Sequence, residues 1–365
     1  MRPRLIAKFG GSSLATPETW KAVRDVLNSR RGQEPLVVVS AVGVLKEKAR
    51  QGRLKVTDRL LQLADLALGG GAFTRPLGEL RQDHEALGRS LGLPDELLGP
   101  LFEELEEDLL HVRDASSEGL APRSAPETLD RIAGYGELLS AEMMAAYLRQ
   151  DGWNTRAARP EDVGLVTNEV FQDASVVEDA LNRIAQKVIQ SRQALVVPGF
   201  VGVTEAGQRT TLGRGGSDYT AAILGAALKR DVEIWTDVNG VAVTDPGLFQ
   251  EGVPLTIDEL SHEEAYQMAA FGSRVLYQKC LAAARLAARR GRHLRMIVKN
   301  TFQPGHPGTV IVGHSSPAGV PKGITALEGV QLLTVYLDRE EDYRGLWDDV
   351  RRLTGRLLMA SYATG

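Results

Sequence analysis

The chain opens with a short apolar strand that ends in a glycine turn and leads into a helix and a second strand. Residues 5–9 have the strand pattern, and residues 10–13, Gly-Gly-Ser-Ser, form the turn. Thr16 suits a helix N-cap and Pro17 the first helical position. Residues 36–39 are an apolar, β-branched run typical of a buried parallel strand. This β-α-β opening predicts a doubly wound or sandwich α/β domain.

The composition excludes several classes of protein. The 365 residues suit about two domains of roughly 150 residues each. With 43% hydrophobic and 25% charged residues the chain is not mainly disordered, and a net charge of −4 argues against a nucleic-acid binder. No stretch approaches the ~20 apolar residues of a membrane span. Cys280 is the single cysteine and there is no apolar leader, so we expect a cytoplasmic protein.

The turn after the first strand has the chemistry of a phosphate-binding nest. Gly10 and Gly11 let backbone N–H groups converge, and Ser12 and Ser13 add hydroxyl donors. Lys8 can act as a point charge on a transferring phosphoryl group. A plain glycine turn with a surface lysine explains the same residues equally well. No P-loop or Gly-x-Gly-x-x-Gly signature is present at this turn, so a nicotinamide-binding fold has no support.

A second glycine-rich segment, residues 211–218, reads Thr-Leu-Gly-Arg-Gly-Gly-Ser-Asp. Its glycines allow a close backbone approach to a ligand, and the guanidinium of Arg214 can hold a carboxylate in two hydrogen bonds. We expect Ser217 or Asp218 to cap the following helix. Capping does not explain the arginine and three glycines together, which favours a functional site.

Two further segments carry weaker signals. Glu137 lies near the start of a predicted helix over residues 131–148. An acidic residue near the start of a helix usually only interacts favourably with the helix dipole. Thr236 and Asp237 end a predicted strand, at the edge where open α/β sheets bind ligands, although the Asn-Gly that follows is also an ordinary turn. Elsewhere the pattern predicts helix from residue 58 to about residue 111 and two successive capping boxes, at residues 256–259 and 261–264.

Together these segments resemble the aspartate kinases of the amino-acid kinase family over roughly residues 4 to 312. The Leu-Gly-Arg-Gly-Gly-Ser-Asp stretch carries most of the resemblance. The resemblance implies a three-layer α/β fold with a mainly parallel central sheet for residues 1–317. It also implies a partial ACT-like α+β segment for residues 318–365.

The resemblance implies a role for each residue. Lys8 would stabilise the transferring phosphoryl group and Asp218 would position Lys8, while Glu137 would hold the substrate α-ammonium and Arg214 its α-carboxylate. Gly10, Gly11, Ser12 and Ser13 would form the phosphate cradle. The other implied contacts are Ser40, Thr57, Phe200 and Ser217 on the substrate side, and Thr236, Asp237 and Arg274 on the nucleotide side.

The implied reaction is ATP-dependent phosphorylation of the side-chain carboxylate of L-aspartate, the first step toward lysine, threonine and methionine. That carboxylate is already ionised at neutral pH, so no general base is needed. Catalysis is then positioning plus positive charge from Lys8, Mg²⁺ and backbone N–H groups, with no metal site of the protein's own.

Several positions depart from the family pattern. Residues 44–55 form a basic insertion, which is either a solvated loop or a mobile loop near the phosphates. Ala242 and Gly247 stand where the family has an aromatic residue and an arginine, and Arg274 replaces a lysine. We therefore expect weak ATP affinity or a changed nucleotide preference.

The last residues resemble one strand and one helix of an ACT module, where the family usually has two modules. We therefore expect feedback inhibition by lysine or threonine to be lost, and the apolar tail residues predict a homodimer. Two alternatives stay open: a kinase of this fold with another amino acid or nucleotide, and a non-catalytic regulatory paralogue. The presence of both Lys8 and Asp218 argues against the paralogue.

Overall fold

An eight-stranded sheet runs through the centre of the molecule, in a computed structural model that describes residues 4–45, 52, 54–117, 125–244, 255–271, 278–315 and 322–324. Its strands are β1 (Leu5–Phe9), β2 (Leu36–Val39), β3 (Thr155–Ala157), β4 (Ala194–Pro198), β7 (Asp231–Thr236), β8 (Glu259–Ser261), β9 (Met296–Asn300) and β10 (Thr309–Val312). The order across the sheet is β3-β4-β2-β1-β7-β9-β10-β8. Neighbouring strands are parallel except β9 and β10. β5 (Val201–Val203) and β6 (Arg209–Thr211) form a separate antiparallel pair.

Helices lie on both faces of the sheet. They are α1 (Pro17–Arg30), α2 (Val56–Leu68), α3 (Thr74–Ser90), α4 (Gly99–Ser117), α5 (Ala125–Ala133), α6 (Tyr135–Arg149), α7 (Pro160–Val163), α8 (Ala180–Gln190), α9 (Gly216–Leu228), α10 (His262–Ala270) and α11 (Gln278–Arg289). Short 3-10 turns cover Gly11–Leu14 and Arg31–Gln33. None of the helices in these ranges is long and apolar enough to cross a bilayer.

Alternate residues of the central strands face two separate hydrophobic cores. In β1, Ala7 and Phe9 pack into the core that α1 to α4 and α6 cover. Ile6 faces the opposite core, which α8 to α11 cover. Since side chains alternate along a strand, Lys8 shares the α9 face of the sheet with Ile6. The expected α/β fold with a mainly parallel central sheet is confirmed.

The helix start predicted near the beginning of the chain is correct, whereas two longer predicted helices are divided in the structure. Thr16 caps α1, with Pro17 at the first helical position, as predicted. The single helix predicted over residues 131–148 is wrong, because the chain breaks at Gly134 into α5 and α6. A Cβ at Gly134 would lie 2.7 Å from the side chain of Arg209, so this packed break requires a glycine. The helical stretch predicted from residue 58 to about residue 111 divides into α2, α3 and the start of α4.

Of the two predicted capping boxes, one is confirmed. Ser261 and Glu264 form reciprocal hydrogen bonds at the start of α10. The box at residues 256–259 is wrong, because Glu259 begins β8 and Thr256 forms a β-bridge with Ala242. Most of the insertion at residues 44–55, together with Gly247, Arg274 and all of the segment 318–365 except residues 322–324, lies outside the described part of the chain.

Candidate active site

The carboxyl ends of β1, β2, β4 and β7 meet at one edge of the sheet, where the chain forms an open cleft of about 1110 Å³. The strands stay paired up to this edge: Gly10 N–H donates to the Trp235 carbonyl (3.1 Å) and Ser40 N–H to the Phe9 carbonyl (3.1 Å). The predicted residues that line the cleft are Lys8, Gly10, Gly11, Ser12, Ser40, Thr57, Glu137, Phe200, Arg214, Ser217, Asp218, Thr236 and Asp237.

Lys8 and Asp218 form a buried ion pair on the cleft wall. The distance from Lys8 Nζ to Asp218 Oδ1 is 2.5 Å, and each side chain is 9% exposed. The pair forms because β1 directs Lys8 toward α9, which carries Asp218 in its first turn. A cation held this way keeps its position, with its remaining N–H bonds available to a ligand.

The prediction that Ser217 or Asp218 caps α9 is wrong. The helix begins at Gly216, and Gly215 precedes it with φ = +68°, without a side-chain cap. Both residues therefore lie inside the first turn, and their side chains face the cleft instead. The helix N-terminus itself also lies on the cleft wall, where the Gly216 N–H donates to the Gly213 carbonyl (2.9 Å).

The turn after β1 forms the floor of the cleft. Gly11 packs so closely on Gly43 that a Cβ at Gly43 would lie 2.2 Å from the Gly11 backbone. The sequence reading passed over Gly43, although a glycine shortly after a predicted strand is the signal for such a contact. The structure does not bring Ser13 into the cleft: it is fully buried, and its hydroxyl is hydrogen-bonded to the Thr301 hydroxyl (2.8 Å).

Glu137 is a buried carboxylate that lacks a hydrogen-bond partner on one oxygen. It lies in the first turn of α6 and is 4% exposed. Backbone N–H groups of Ala41 and of Glu137 itself donate to the carboxylate, but Oε2 has no partner among the described residues. Burial raises the pKa of Glu137 from 4.5 to about 8, against the lowering effect of these donors and of Lys8. Such a group is well suited to receive a cationic ligand.

Arg214 lies at the opening of the same cleft, on a loop whose backbone conformation favours glycine on both sides of the arginine. Gly213 (φ = +74°) and Gly215 (φ = +68°) flank it in the left-handed region. Arg214 is exposed and has no ion-pair partner within the described residues. Its guanidinium is therefore available to a ligand carboxylate.

Phe200, next to this loop, holds a strained backbone conformation. Its φ is +66°, which is uncommon for a residue other than glycine. Two hydrogen bonds hold it there: its N–H donates to the Thr220 hydroxyl (3.1 Å), and its carbonyl accepts from Leu212 N–H (2.8 Å). A Cβ at the preceding Gly199 would lie 2.6 Å from Ser217, so the β4 end and the start of α9 are in close contact.

The other end of the cleft carries the predicted nucleotide-side residues. Thr236 ends β7, and its hydroxyl donates to Asp237 Oδ1 (3.2 Å). Beside them, the buried Lys299 on β9 lies over the Trp235 ring at 5.5 Å and donates to the His306 carbonyl (3.0 Å). Thr57 lines the cleft together with Lys55, at the point where the insertion rejoins α2.

Sequence reasoning missed one buried acid on the cleft wall, Asp130. It is 1% exposed and accepts hydrogen bonds from Thr211 and from the Gln172 N–H. Burial raises its pKa, against these hydrogen bonds. Asp130 lies on α5 and Glu137 on α6, and the partners of Asp130 are distant in the sequence, so no local pattern marks it.

The chain is similar to aspartokinases of known sequence. Aspartokinase 1 and aspartokinase 3 of Arabidopsis thaliana, both chloroplastic, are 30% and 32% identical to it over 316 and 319 residues. Each match covers 84% of this chain but only 51% and 52% of the relatives. The chain thus spans about half the length of these two relatives.

Solved structures with the same fold include two bacterial enzymes. E. coli aspartokinase III, in complex with aspartate and ADP, has a TM-score of 0.67 and 28% identity, and the match covers 86% of this chain and 65% of that one. Clostridium acetobutylicum aspartate kinase has a TM-score of 0.70 and 26% identity, covering 88% and 66%.

The family model agrees with the fold and with the cleft. The model of the amino acid kinase family matches residues 3–299. This range contains the described part of the sheet up to β9 and the residues that line the cleft. The sequence-based prediction of the family is thereby confirmed: the chain belongs to the amino acid kinase family.

Proposed function

We propose that the chain transfers a phosphoryl group from ATP to the side-chain carboxylate of L-aspartate, forming 4-phospho-L-aspartate. One observation carries the proposal: among the described residues, a buried Glu137 with one unpartnered oxygen shares a cleft with Arg214, which has no ion-pair partner there, and with the Lys8–Asp218 pair. The similarity to aspartokinases, one of them solved with aspartate and ADP, supports it.

Recognition of the amino acid would use both of its charged ends. Glu137 Oε2 would accept a hydrogen bond from the α-ammonium, which compensates the buried carboxylate. Arg214 would hold the α-carboxylate in two parallel hydrogen bonds. Ser217 and Phe200 would shape the pocket between them, and Ser40 and Thr57 would lie near the substrate and the phosphates. The side-chain carboxylate then points toward the phosphate floor.

Phosphoryl transfer would need charge compensation, since two anions must meet. Lys8, held by Asp218, would place its ammonium on the transferring group, and the N–H group of Gly11 would donate to a phosphate oxygen, whereas the Gly10 N–H is taken by the Trp235 carbonyl. Ser12 lines the same floor. The aspartate carboxylate is already ionised, so it can attack in line without a base.

Mg²⁺ would enter with the nucleotide. Within the described residues, no group of three or more His, Cys, Asp or Glu side chains is arranged to hold a metal. Mg²⁺ bound with a nucleotide is held mainly by phosphate oxygens plus one or two carboxylates, and we assign Asp237, which follows β7 and lines the cleft, to that role. There the ion would neutralise phosphate charge.

We extend the proposal to the whole chain as follows. Residues 1–317 would form the catalytic domain, in which Thr236 and Asp237 would face the nucleotide; the same role for Arg274, outside the described residues, stays a prediction. Cys280 is the single cysteine of the sequence and is buried, which suits a reducing, cytoplasmic setting. The proposed homodimer rests on tail residues outside the described ranges, and sedimentation equilibrium tests it: a monomer at micromolar concentration would exclude it.

An aspartyl-hydroxamate assay tests the function. Purified protein, Mg-ATP, L-aspartate and hydroxylamine should give hydroxamate. The Lys8→Ala variant should lose turnover while it still binds aspartate in calorimetry. Binding of aspartate without hydroxamate in the unmodified protein would instead indicate a non-catalytic paralogue. Hydroxamate formed only with another amino acid or another nucleotide would indicate a kinase of different specificity.

A further inference from the structure

Asp130 joins three segments of the chain beneath the arginine loop, defined here as residues 212–215. Its Oδ2 accepts hydrogen bonds from the backbone N–H of Thr211 (2.8 Å) and of Gln172 (2.8 Å). Its Oδ1 accepts from the Thr211 hydroxyl (2.6 Å). Asp130 itself lies on α5, so one carboxylate ties α5, the end of β6 and the turn at Gln172 together. Hydrogen bonds to a buried charge are the stronger kind.

Lys279 holds the same two segments from the other side. From the start of α11 its ammonium donates to the Leu212 carbonyl (3.0 Å), to the Asp173 carbonyl (3.0 Å) and to Asp173 Oδ1 (2.5 Å). Asp130 thus takes the N–H groups of Gln172 and Thr211, while Lys279 takes carbonyls of the next residue in each segment. The carboxylate of Asp130 thus holds the N–H groups of the two segments, and the ammonium of Lys279 holds their carbonyl groups.

The two clamped segments are in direct contact at the base of the loop. Gln172 has a left-handed φ of +69°, and Gly213 has a φ of +74°. A Cβ at Gly213 would lie 2.4 Å from Asp173 Oδ1. Glycine adopts such a φ freely, but at Gln172 it is strained, and a strained backbone persists only where surrounding contacts over-determine it. Asp130 and Lys279 are those contacts, and Arg214 is the next residue after Gly213.

We infer that Asp130 and Lys279 are positioning residues that hold the arginine loop in place, so that Arg214 meets the α-carboxylate of the amino-acid substrate. The inference rests on the proposed function for its substrate, but the placement of the loop does not depend on turnover. Neither residue needs to touch the substrate, because both act on the backbone that carries Arg214.

Kinetics of matched variants test this role. Asp130→Ala and Lys279→Met should each raise the KM for aspartate about tenfold, with kcat and the KM for ATP within about twofold. Asp130→Asn should stay within about threefold of the unmodified protein, because its carbonyl accepts both N–H groups and its amide can donate to the Thr211 hydroxyl. The control is Asp162→Ala, which removes a carboxylate that accepts from the Arg159 N–H away from the cleft; its KM for aspartate should not change.

A double variant shows whether Asp130 acts through the arginine. In an Arg214→Ala background, Asp130→Ala should raise the KM for aspartate by less than about twofold further. Asp130 affects this KM through the position of Arg214, and the arginine is absent in that background. A full tenfold increase in that background would overturn the inference. So would an Asp130→Asn variant as impaired as Asp130→Ala, since the charge would then act on the substrate directly.

Hydrogen exchange separates this inference from the proposed function. In Asp130→Ala, or in Lys279→Met should the first variant fail to fold, amides of residues 172–174 and 211–215 should exchange at least tenfold faster than in the unmodified protein. Unchanged exchange in both variants would refute the positioning role even in an active enzyme. Absence of hydroxamate from the unmodified protein would refute the proposed function. The hydrogen-exchange result would still decide whether Asp130 and Lys279 hold the arginine loop.

Discussion

Replacing Glu137 with glutamine should stabilise the protein and abolish its use of aspartate. Burial raises the pKa of Glu137 from 4.5 to about 8, so in the folded state this group binds a proton more tightly than in the unfolded chain. Its ionised form therefore destabilises the fold. This penalty is absent below pH 4.5, grows as the pH rises, and is complete above pH 8.

The size of the effect follows from the shift in pKa. At 1.36 kcal/mol per unit, the penalty is about 2 kcal/mol at pH 6 and about 5 kcal/mol at pH 9. A glutamine side chain keeps a carbonyl acceptor for the two backbone N–H groups that donate to the carboxylate, and it cannot ionise. Glu137→Gln should therefore gain these amounts over the unmodified protein. Urea unfolding at the two pH values measures the gain.

The control for this measurement is Glu142→Gln, on the same helix but partly exposed and outside the cleft lining, so that this substitution removes no buried carboxylate. An equal gain at pH 6 and pH 9, or a less stable Glu137→Gln variant, would refute the reasoning. Aspartate should stabilise the unmodified protein and not the Glu137→Gln variant. Because the ammonium needs ionised Glu137, the affinity for aspartate should rise by up to about tenfold per pH unit below pH 8.

Three further variants probe the rest of the cleft. Lys8→Met should lower kcat by about 10²–10³ in the hydroxamate assay, and adding Asp218→Asn should restore stability but not turnover; recovered turnover would remove Lys8 from the mechanism. Arg214→Ala should raise the KM for aspartate by about 10- to 100-fold with the melting temperature unchanged, and an unaltered KM would contradict the assignment. Gly213→Ala should destabilise the fold by about 1–3 kcal/mol, more than Gly207→Ala, whose added methyl meets open space; calorimetric melting that ranks them the other way would count against the packing.

The sequence predicted correctly those strands, turns and helix caps that are determined by residues close to one another in the chain. The β-α-β opening followed from an apolar run, a glycine turn and the Thr16 cap, all within neighbouring residues. The placement of Lys8 and Asp237 in one cleft followed from the rule that parallel strands end at the same edge. The amino-acid pair was found from the family resemblance, since Glu137 by itself resembled a dipole partner until its burial was known.

The features that the sequence did not reveal depend on contacts between distant residues. The local pattern predicted that Ser217 or Asp218 caps α9, and only the family resemblance pointed to the pairing of Asp218 with Lys8, because a polar residue near a helix start looks the same in both roles. Asp130 was missed because its partners, Gln172 and Thr211, lie 42 and 81 residues away. The break at Gly134 is likewise not visible in the apolar periodicity, and the Arg209 side chain that packs against this glycine belongs to a distant segment.

The most direct test of the central claim compares L-aspartate with N-acetyl-L-aspartate as phosphoryl acceptor at saturating Mg-ATP and pH 8. Both carry the same reacting carboxylate, but the second has no ammonium for Glu137. We predict hydroxamate from L-aspartate and a kcat/KM at least about 10³-fold lower for the acetylated compound, because the buried carboxylate would lose the ammonium that compensates its charge. Equal rates with both, or no hydroxamate from either with folded protein, would contradict the account.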